Sequence, residues 1–392
     1  MKKLGGILFV AALVGQWFLL HFFNFNHETS ALVVAVSAGM GIFGAAFALS
    51  WAAEAAQVDV PQSLSLAFLA LIAVLPEYAV DIYFAWRAAD DPSYVQYATA
   101  NMTGANRILI GLGWPLVVFT YYLRSPRRAI DLEQGQQVEL YYLLAATLYS
   151  FVIPLKGTLT IIDTVVLVSI FIAYVVALSR SEVTEPQLDG VAELIARLPT
   201  RHRRATTGAL FLIAGGAIYT AAEPFAESLL AIGARFGIDE FLLVQWLAPL
   251  ASETPEFIVA ILFAFKLKPT AGFSALLSSK VNQWTLLIGT LPLAFSISGG
   301  ALAAMPLDER QSHEILLTSA QSLFAIVVLS NMQFSVIEAF ALLVLFLIQL
   351  AWPDPLVRMV FVGVYLVLAI LLLATKPDRR RSVLALVRRR LP

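Results

Sequence analysis

The chain has 392 residues, of which 59% are hydrophobic and 14% charged, with a formal net charge of -1 and no cysteine. A soluble domain carries roughly a quarter charged residues, so lipid is the solvent this composition fits. The charge balance points to no polyanionic partner such as nucleic acid, and the missing cysteines exclude disulfides, thiolate metal sites and cysteine nucleophiles.

A membrane-spanning helix needs about 20 mainly apolar residues. In chain order the predicted spans are 4–24, 31–57, 62–87, 93–121, 137–154, 157–179, 205–232, 239–266, 270–296, 312–330, 334–350 and 357–374, twelve in all. The connections near Pro154–Gly157 and Asn331–Gln333 are the tightest. The lysine-flanked first segment has the outline of a signal peptide, but no small-residue cleavage site follows Phe22–Phe23–Asn24. Gly39, Gly41 and Gly44 in the second span read as close-packing positions. Trp17, Tyr121, Tyr122 and Trp352 near span ends read as interfacial anchors. The four histidines, His21, His27, His202 and His313, fall at or beyond span ends, which argues against a two-histidine zinc helix.

Orientation follows the basic residues, which cytoplasmic loops retain. With the N-terminus inside, the inner loops and tails hold 19 of the 26 lysines and arginines, including Arg124, Arg127 and Arg128, the linker arginines up to Arg204, and the tail from Lys376 to Arg390. Arg87, Lys156, Arg235, Arg310 and Arg358 lie outside, and Arg107 and Lys280 fall inside spans. Both termini are therefore expected in the cytoplasm, and the basic tail is expected to act as a topology anchor on anionic lipid.

The chain repeats itself. Pro76–Glu77–Tyr78 and Pro255–Glu256–Phe257 each sit in the middle of an apolar span. The next span also matches: Asn101, Thr103, Gly104, Asn106 and Arg107 before Pro115 in one half, and Ser278, Ser279, Lys280, Asn282 and Gln283 before Pro292 in the other. Five spans separate the starts of the two copies, so the second is inverted. The predicted organisation is an extra N-terminal transmembrane helix over 1–30, a first inverted repeat over 31–179, a cytoplasmic linker over 180–204 with room for one short amphipathic helix, a second repeat over 205–350, and an extra C-terminal helix with a basic tail over 351–392. The fold class is all-α integral membrane, with two inverted five-helix repeats and discontinuous motif helices.

Proline inside a helix removes a backbone donor and frees the carbonyl four residues earlier. Here each such proline precedes a glutamate, so free carbonyls and a carboxylate meet at membrane depth, where an ionised carboxylate costs about 3 kcal/mol on insertion scales. Asp81 follows Glu77 by one helical turn, and Glu253 precedes Glu256 by three residues. Asn101, Thr103 and Asn106 offer neutral oxygens in the first repeat, as do Ser252, Ser278, Ser279 and Asn282 in the second. An oxygen-rich set with two central carboxylates suits hard cations such as calcium and sodium.

These residues resemble the calcium:cation antiporter superfamily, which includes sodium/calcium exchangers. Its two repeats carry a G-T-S-L-P-E stretch and, one helix later, G-N-x-x-G-S-N. Leu75–Pro76–Glu77 with Asn101, Gly104 and Asn106 retain the first copy, and Pro255–Glu256 with Asn282 retain part of the second. The chain departs where Ala73 and Val74 replace Thr-Ser, where Glu253 replaces a hydroxyl, and where Arg107 and Lys280 appear. The resemblance implies a sodium/calcium exchanger-like fold over about residues 31–350 and a midplane ion site with Glu77 and Glu256 as central metal ligands. Asn101, Asn106, Ser252 and Asn282 flank them, and Asp81 and Glu253 modulate charge.

The expected function is secondary-active cation antiport, calcium or a related cation moving against sodium or protons, as one helix pair rocks against an eight-helix core. A proton-coupled exchanger of monovalent cations, with Lys280 held in a cation subsite, is the alternative. A cation channel is disfavoured by the inverted repeats within one chain, and an enzyme by the lack of a nucleophile–base constellation. Arg107 either serves the site or pairs with Asp81 to hold two helices. Glu54 and Glu223 line an access path or snorkel to the interface, and Asp163 and Glu338 belong to scaffold spans. No cofactor is expected beyond the transported calcium, sodium or protons. The partners are membrane lipid and inorganic cations, the oligomeric state is open, and a prokaryotic plasma membrane is the expected location.

Overall fold

The computed structural model describes residues 2–23, 30–59, 75–180, 188 and 190–388. The first half of the third predicted span, Ala73 and Val74, Glu182 and Glu185 of the linker, and the end of the basic tail lie outside the described residues.

The described chain is almost entirely helical. The helices are α1 (Lys2–Phe23), α2 (Ala31–Ala56), α3 (Leu75–Arg87), α4 (Val95–Ile108), α5 (Trp114–Arg124), α6 (Gln134–Ser150), α7 (Val152–Lys156), α8 (Ile161–Ser179), α9 (Gly190–Ala196), α10 (Thr200–Phe236), α11 (Glu240–Phe265), α12 (Pro269–Asn282), α13 (Ile288–Ser298), α14 (Glu309–Leu329), α15 (Val336–Ala351), α16 (Pro355–Thr375) and α17 (Pro377–Arg388). Among the described residues, 9 helical stretches are long and apolar enough to cross a membrane. The shorter α15, the α12–α13 stretch and the described part of α3 correspond to the other three predicted spans. In the most apolar part of Pro92–Arg124 and of Glu309–Leu329, 83% and 78% of the residues are buried, whereas in Lys3–Phe23 and Pro355–Thr375 only 22% and 28% are.

The helix after each Pro-Glu helix is interrupted in the same way. A five-residue π turn, Leu109–Gly113, joins α4 to α5, and another, Gln283–Leu287, joins α12 to α13. Each turn falls between the repeat's asparagine and its proline. A π turn adds a residue to the helical path, re-aims its neighbours and is frequent at functional sites.

The chain divides into two compact units, Met1–Phe84 with Leu178–Glu256, and Ala85–Ala177 with Phe257–Pro392. In the first unit α2 packs along α10, and α1 packs on α2. Gly41 and Gly44 allow this approach: a Cβ on either would stand 2.7 Å from the Cβ of Trp17 or Leu13. Trp17 is fully buried and its indole N–H donates to Thr220 Oγ1 at 3.0 Å, so it is a packing residue and not the interfacial anchor its position predicted. Tyr121 is also buried, while Tyr122 and Trp352 are exposed. The linker forms the short helix α9, where Glu193 meets Lys3 at 2.7 Å. Arg203 and Arg204 both bind Asp59, at 2.8 and 2.9 Å.

In the second unit α14 packs against α4, α6 and α16. The two tight connections pair with distant loops. Strand β1 (Ala129–Asp131) runs antiparallel to β4 (Gln333–Ser335), and β2 (Thr158–Leu159) antiparallel to β3 (Met305–Pro306). Each ribbon joins loops separated by an even number of predicted spans, as two loops on one membrane side must be. Helix starts on these loops are capped by side chains: Asp308 with Gln311 begins α14, and Ser335 with Glu338 begins α15.

Candidate ion-binding site

In the first unit, Glu77 stands in the first turn of α3 and is 1% exposed, and Asp81 one turn later is fully buried. Helix α11 brings Ser252, Glu253 and Glu256 from its middle, helical through both Pro249 and Pro255. The carboxyl of Glu77 interacts with those of Glu256 and Asp81 and with the Ser252 hydroxyl. That hydroxyl donates to the carbonyls of Ala248 and Pro249, both at 3.3 Å, which leaves its oxygen as an acceptor or ligand. Pro255 supplies no N–H to the carbonyl of Ala251, one turn before the proline itself. Glu253 is fully buried and shares a face with Glu256, three residues on. The structure thus collects Glu77, Asp81, Ser252, Glu253 and Glu256 in one unit. Among the described residues no group of three or more His, Asp or Glu already has metal-holding geometry, so these acids are neighbours in charge and not a closed cage.

The other expected residues, Asn101, Asn106, Arg107, Lys280 and Asn282, belong to the second unit, and all are buried there. Lys280 Nζ donates to Asn106 Oδ1 at 2.7 Å and lies 4.3 Å from the centre of the Trp284 ring, a cation–π distance. The Asn106 amide donates in turn to the Met102 carbonyl at 2.7 Å. Both ends of Asn106 are thereby engaged, and its oxygen already faces a cation supplied by the chain. Thr103 donates to Thr99 O at 2.7 Å, Ser279 accepts from Gln283, and Ser278 donates to Glu139, so these hydroxyls of the expected neutral set have intrachain partners.

Within the second unit, Arg107 pairs with an acid that the motifs did not point to. Its Nη2 is 2.9 Å from Glu314 Oε2 on α14, and Arg358 Nε on α16 is 2.8 Å from Glu314 Oε1. Arg358, expected in an outer loop, is only 6% exposed. Sequence reading passed over Glu314 because it sits in the second turn of its span, where an acid commonly reaches water. It also passed over Glu139, which lies in a similar place on α6. Of the acids expected on access paths or scaffold spans, Glu54 accepts from Ser50 at 3.0 Å, Asp163 binds Lys156 and Tyr149, Glu338 binds Ser335 and Arg379, and Glu223 is exposed.

The profile of the family described as sodium/calcium exchanger protein matches residues 29–180 and 207–353, one copy in each half. Among solved structures, the H+/Ca2+ exchanger CAX is 45% identical, with 99% of this chain and 98% of that one covered and a TM-score of 0.93. YfkE, a Ca2+/H+ antiporter protein, is 16% identical over 88% of this chain and 98% of that one, with a TM-score of 0.64. The sodium-calcium exchanger NCX_Mj is 16% identical over 83% and 98%, with a TM-score of 0.55. The last two likenesses establish the fold alone. No match was found among curated proteins. With the profile present in both halves and the likeness to CAX running the length of the chain, the protein belongs to the sodium/calcium exchanger family.

Proposed function

We propose that this membrane protein exchanges calcium for protons, with Glu77 and Glu256 as the groups that bind one or the other. The observation that carries the reading is the electrostatic neighbourhood of Glu77, Glu256 and Asp81 inside one unit. Like-charged carboxylates in a dry site do not all stay ionised without cations. A divalent cation and a pair of protons leave Glu77 and Glu256 equally neutral, so the two loads compete for the same groups. Ser252 supplies a neutral ligand, and Asp81 and Glu253 set the residual charge. The 45% identity to a protein described as an H+/Ca2+ exchanger supports protons over sodium as the coupling ion. Inverted repeats supply the alternating access.

The second reading, a proton-coupled exchanger of monovalent cations, draws on Lys280, whose ammonium already occupies the Asn106 oxygen. We place both termini in the cytoplasm of a cell membrane. Single cysteines introduced into this cysteine-free chain and labelled from one side test that orientation.

The decisive experiment is calcium uptake into proteoliposomes loaded at acidic pH. Uptake driven by the outward proton gradient, abolished by a protonophore, and lost in Glu77→Gln and Glu256→Gln is the expected result. Uptake that follows a sodium gradient and ignores pH overturns proton coupling. Unchanged uptake in both folded variants overturns the site.

A further inference from the structure

Glu139 lies on α6, outside every motif that pointed to the ion site, and is 3% exposed. Three hydroxyls surround it. Ser278 on α12 donates to Glu139 Oε1, Tyr174 on α8 donates to Ser278 Oγ at 3.2 Å, and Tyr174 and Ser274 also lie within hydrogen-bonding reach of the carboxyl. Among the described residues Glu139 forms no ion pair, and its buried Oε2 has no hydrogen-bond partner.

None of the charged groups on the elements packed against α6 forms a described ion pair with Glu139. Lys156 on α7 binds Asp163, and Lys280, two residues beyond Ser278 on α12, donates to Asn106. On α14, Glu314 binds Arg107 and Arg358, His313 lies 3.9 Å from Glu309, and half-buried Arg310 stands in the first turn. On α17, Arg379 binds Glu338, while Asp378, Arg380 and Arg381 are exposed. The titratable groups facing the carboxyl are therefore Tyr174 and, on its own helix, Tyr142, whose ring packs on Tyr174 at 5.8 Å.

An ionised carboxylate here has hydroxyl donors on one side and no counter-charge. An isolated buried charge of this kind is relieved by taking up a proton. The neutral acid fits the surroundings better. Oε1 accepts from Ser278, and a proton on the partnerless Oε2 removes the uncompensated buried charge.

We infer that Glu139 is a proton-binding site, neutral at neutral pH, built from α6, α8 and α12 and distinct from Glu77 and Glu256. The bound proton holds Ser278, and Ser278 stands on the helix that also carries Lys280 and Asn282. Protonation of a scaffold helix is thereby felt by a motif helix.

The test is infrared difference spectroscopy of the full chain in lipid, titrated with acid and base, which reads the carbonyl stretch of a protonated carboxylic acid. At neutral pH the wild type shows such a band. It disappears in Glu139→Gln and persists in Glu77→Gln and Glu256→Gln. Ser278→Ala, which keeps the acid and removes the hydroxyl that donates to it, shifts the band and moves its loss to higher pH, so the inference stays testable should Glu139→Gln fail to fold. Superimposable neutral-pH spectra for wild type and Glu139→Gln overturn the inference. So does a band abolished at constant pH by calcium or sodium in the Glu77→Gln/Glu256→Gln double variant, which marks Glu139 as a cation site. The readout needs no transport, so a sodium-driven protein leaves it intact.

Discussion

Removing Glu314 is predicted to cost more stability than removing either of its arginines. The carboxylate is 2% exposed and stands between Arg107 at 2.9 Å and Arg358 at 2.8 Å, whose side chains are 3% and 7% exposed. Glu314→Gln removes the one carboxylate that Arg107 and Arg358 are both seen to share. Breaking a buried pair by deleting one partner costs about 3–5 kcal/mol. Arg107→Met is milder, because Glu314 keeps Arg358, and the loss is that of one arm of the ion pair, less than the cost of removing the shared carboxylate. Arg358→Met falls near the same value, with an added loss of its bond to the Pro353 carbonyl at 2.9 Å. Thermal unfolding in detergent, followed by fluorescence-detected gel filtration, gives the ranking. The Arg107→Met/Glu314→Gln double variant closes a cycle, and the double should be less damaging than the sum of the singles. An Arg107→Met protein as unstable as Glu314→Gln, or strict additivity, refutes the charge reasoning.

Two further perturbations have signs fixed by the structure. A Cβ at Gly272 would stand 2.5 Å from the backbone carbonyl oxygen of Ala260, which no rotamer change relieves, whereas Gly208 has nothing within 4 Å. Gly272→Ala should lower stability by about 1–3 kcal/mol, and Gly208→Ala should leave the melting temperature unchanged or slightly raised. Equal effects at the two positions contradict this. The hydrogen bonds from Arg203, reinforced by Arg204, hold the Asp59 carboxyl well below the usual carboxylate range. A depressed value in the folded state adds stability above the unfolded aspartate value of about 3.9, and that stability is lost as pH falls through the folded value. Asp59→Asn should therefore melt below wild type at neutral pH, with the gap closing on acidification, and a gap that widens in acid rules the linkage out.

The spans, the duplicated Pro-Glu and the inversion were legible because they rest on composition and spacing along one chain. The pairing of Glu77 with Asp81 and of Glu253 with Glu256 along one helix was legible for the same reason, since about one helical turn separates each pair. Partner choice was not. Arg107 takes Glu314 because α14 packs on α4 with that face inward, a rotation that no local pattern encodes. Trp17 carries the composition of an interfacial anchor and is instead covered where Gly41 admits it. Lys280 and Asn106 were each singled out, but only the packing of α12 shows that one answers the other.

The two short ribbons bear on how the chain is made. Asp131 and its partner Gln333 lie 202 residues apart, and Leu159 pairs with Met305 across the linker and most of the second repeat. A chain inserted helix by helix from its N-terminus completes neither ribbon until the second repeat has entered the bilayer. The first repeat's loops spend that interval with their strand hydrogen bonds unmade. Closure of the ribbons is accordingly a late event in biogenesis, and separately synthesised halves would have to meet in the bilayer before either ribbon could form.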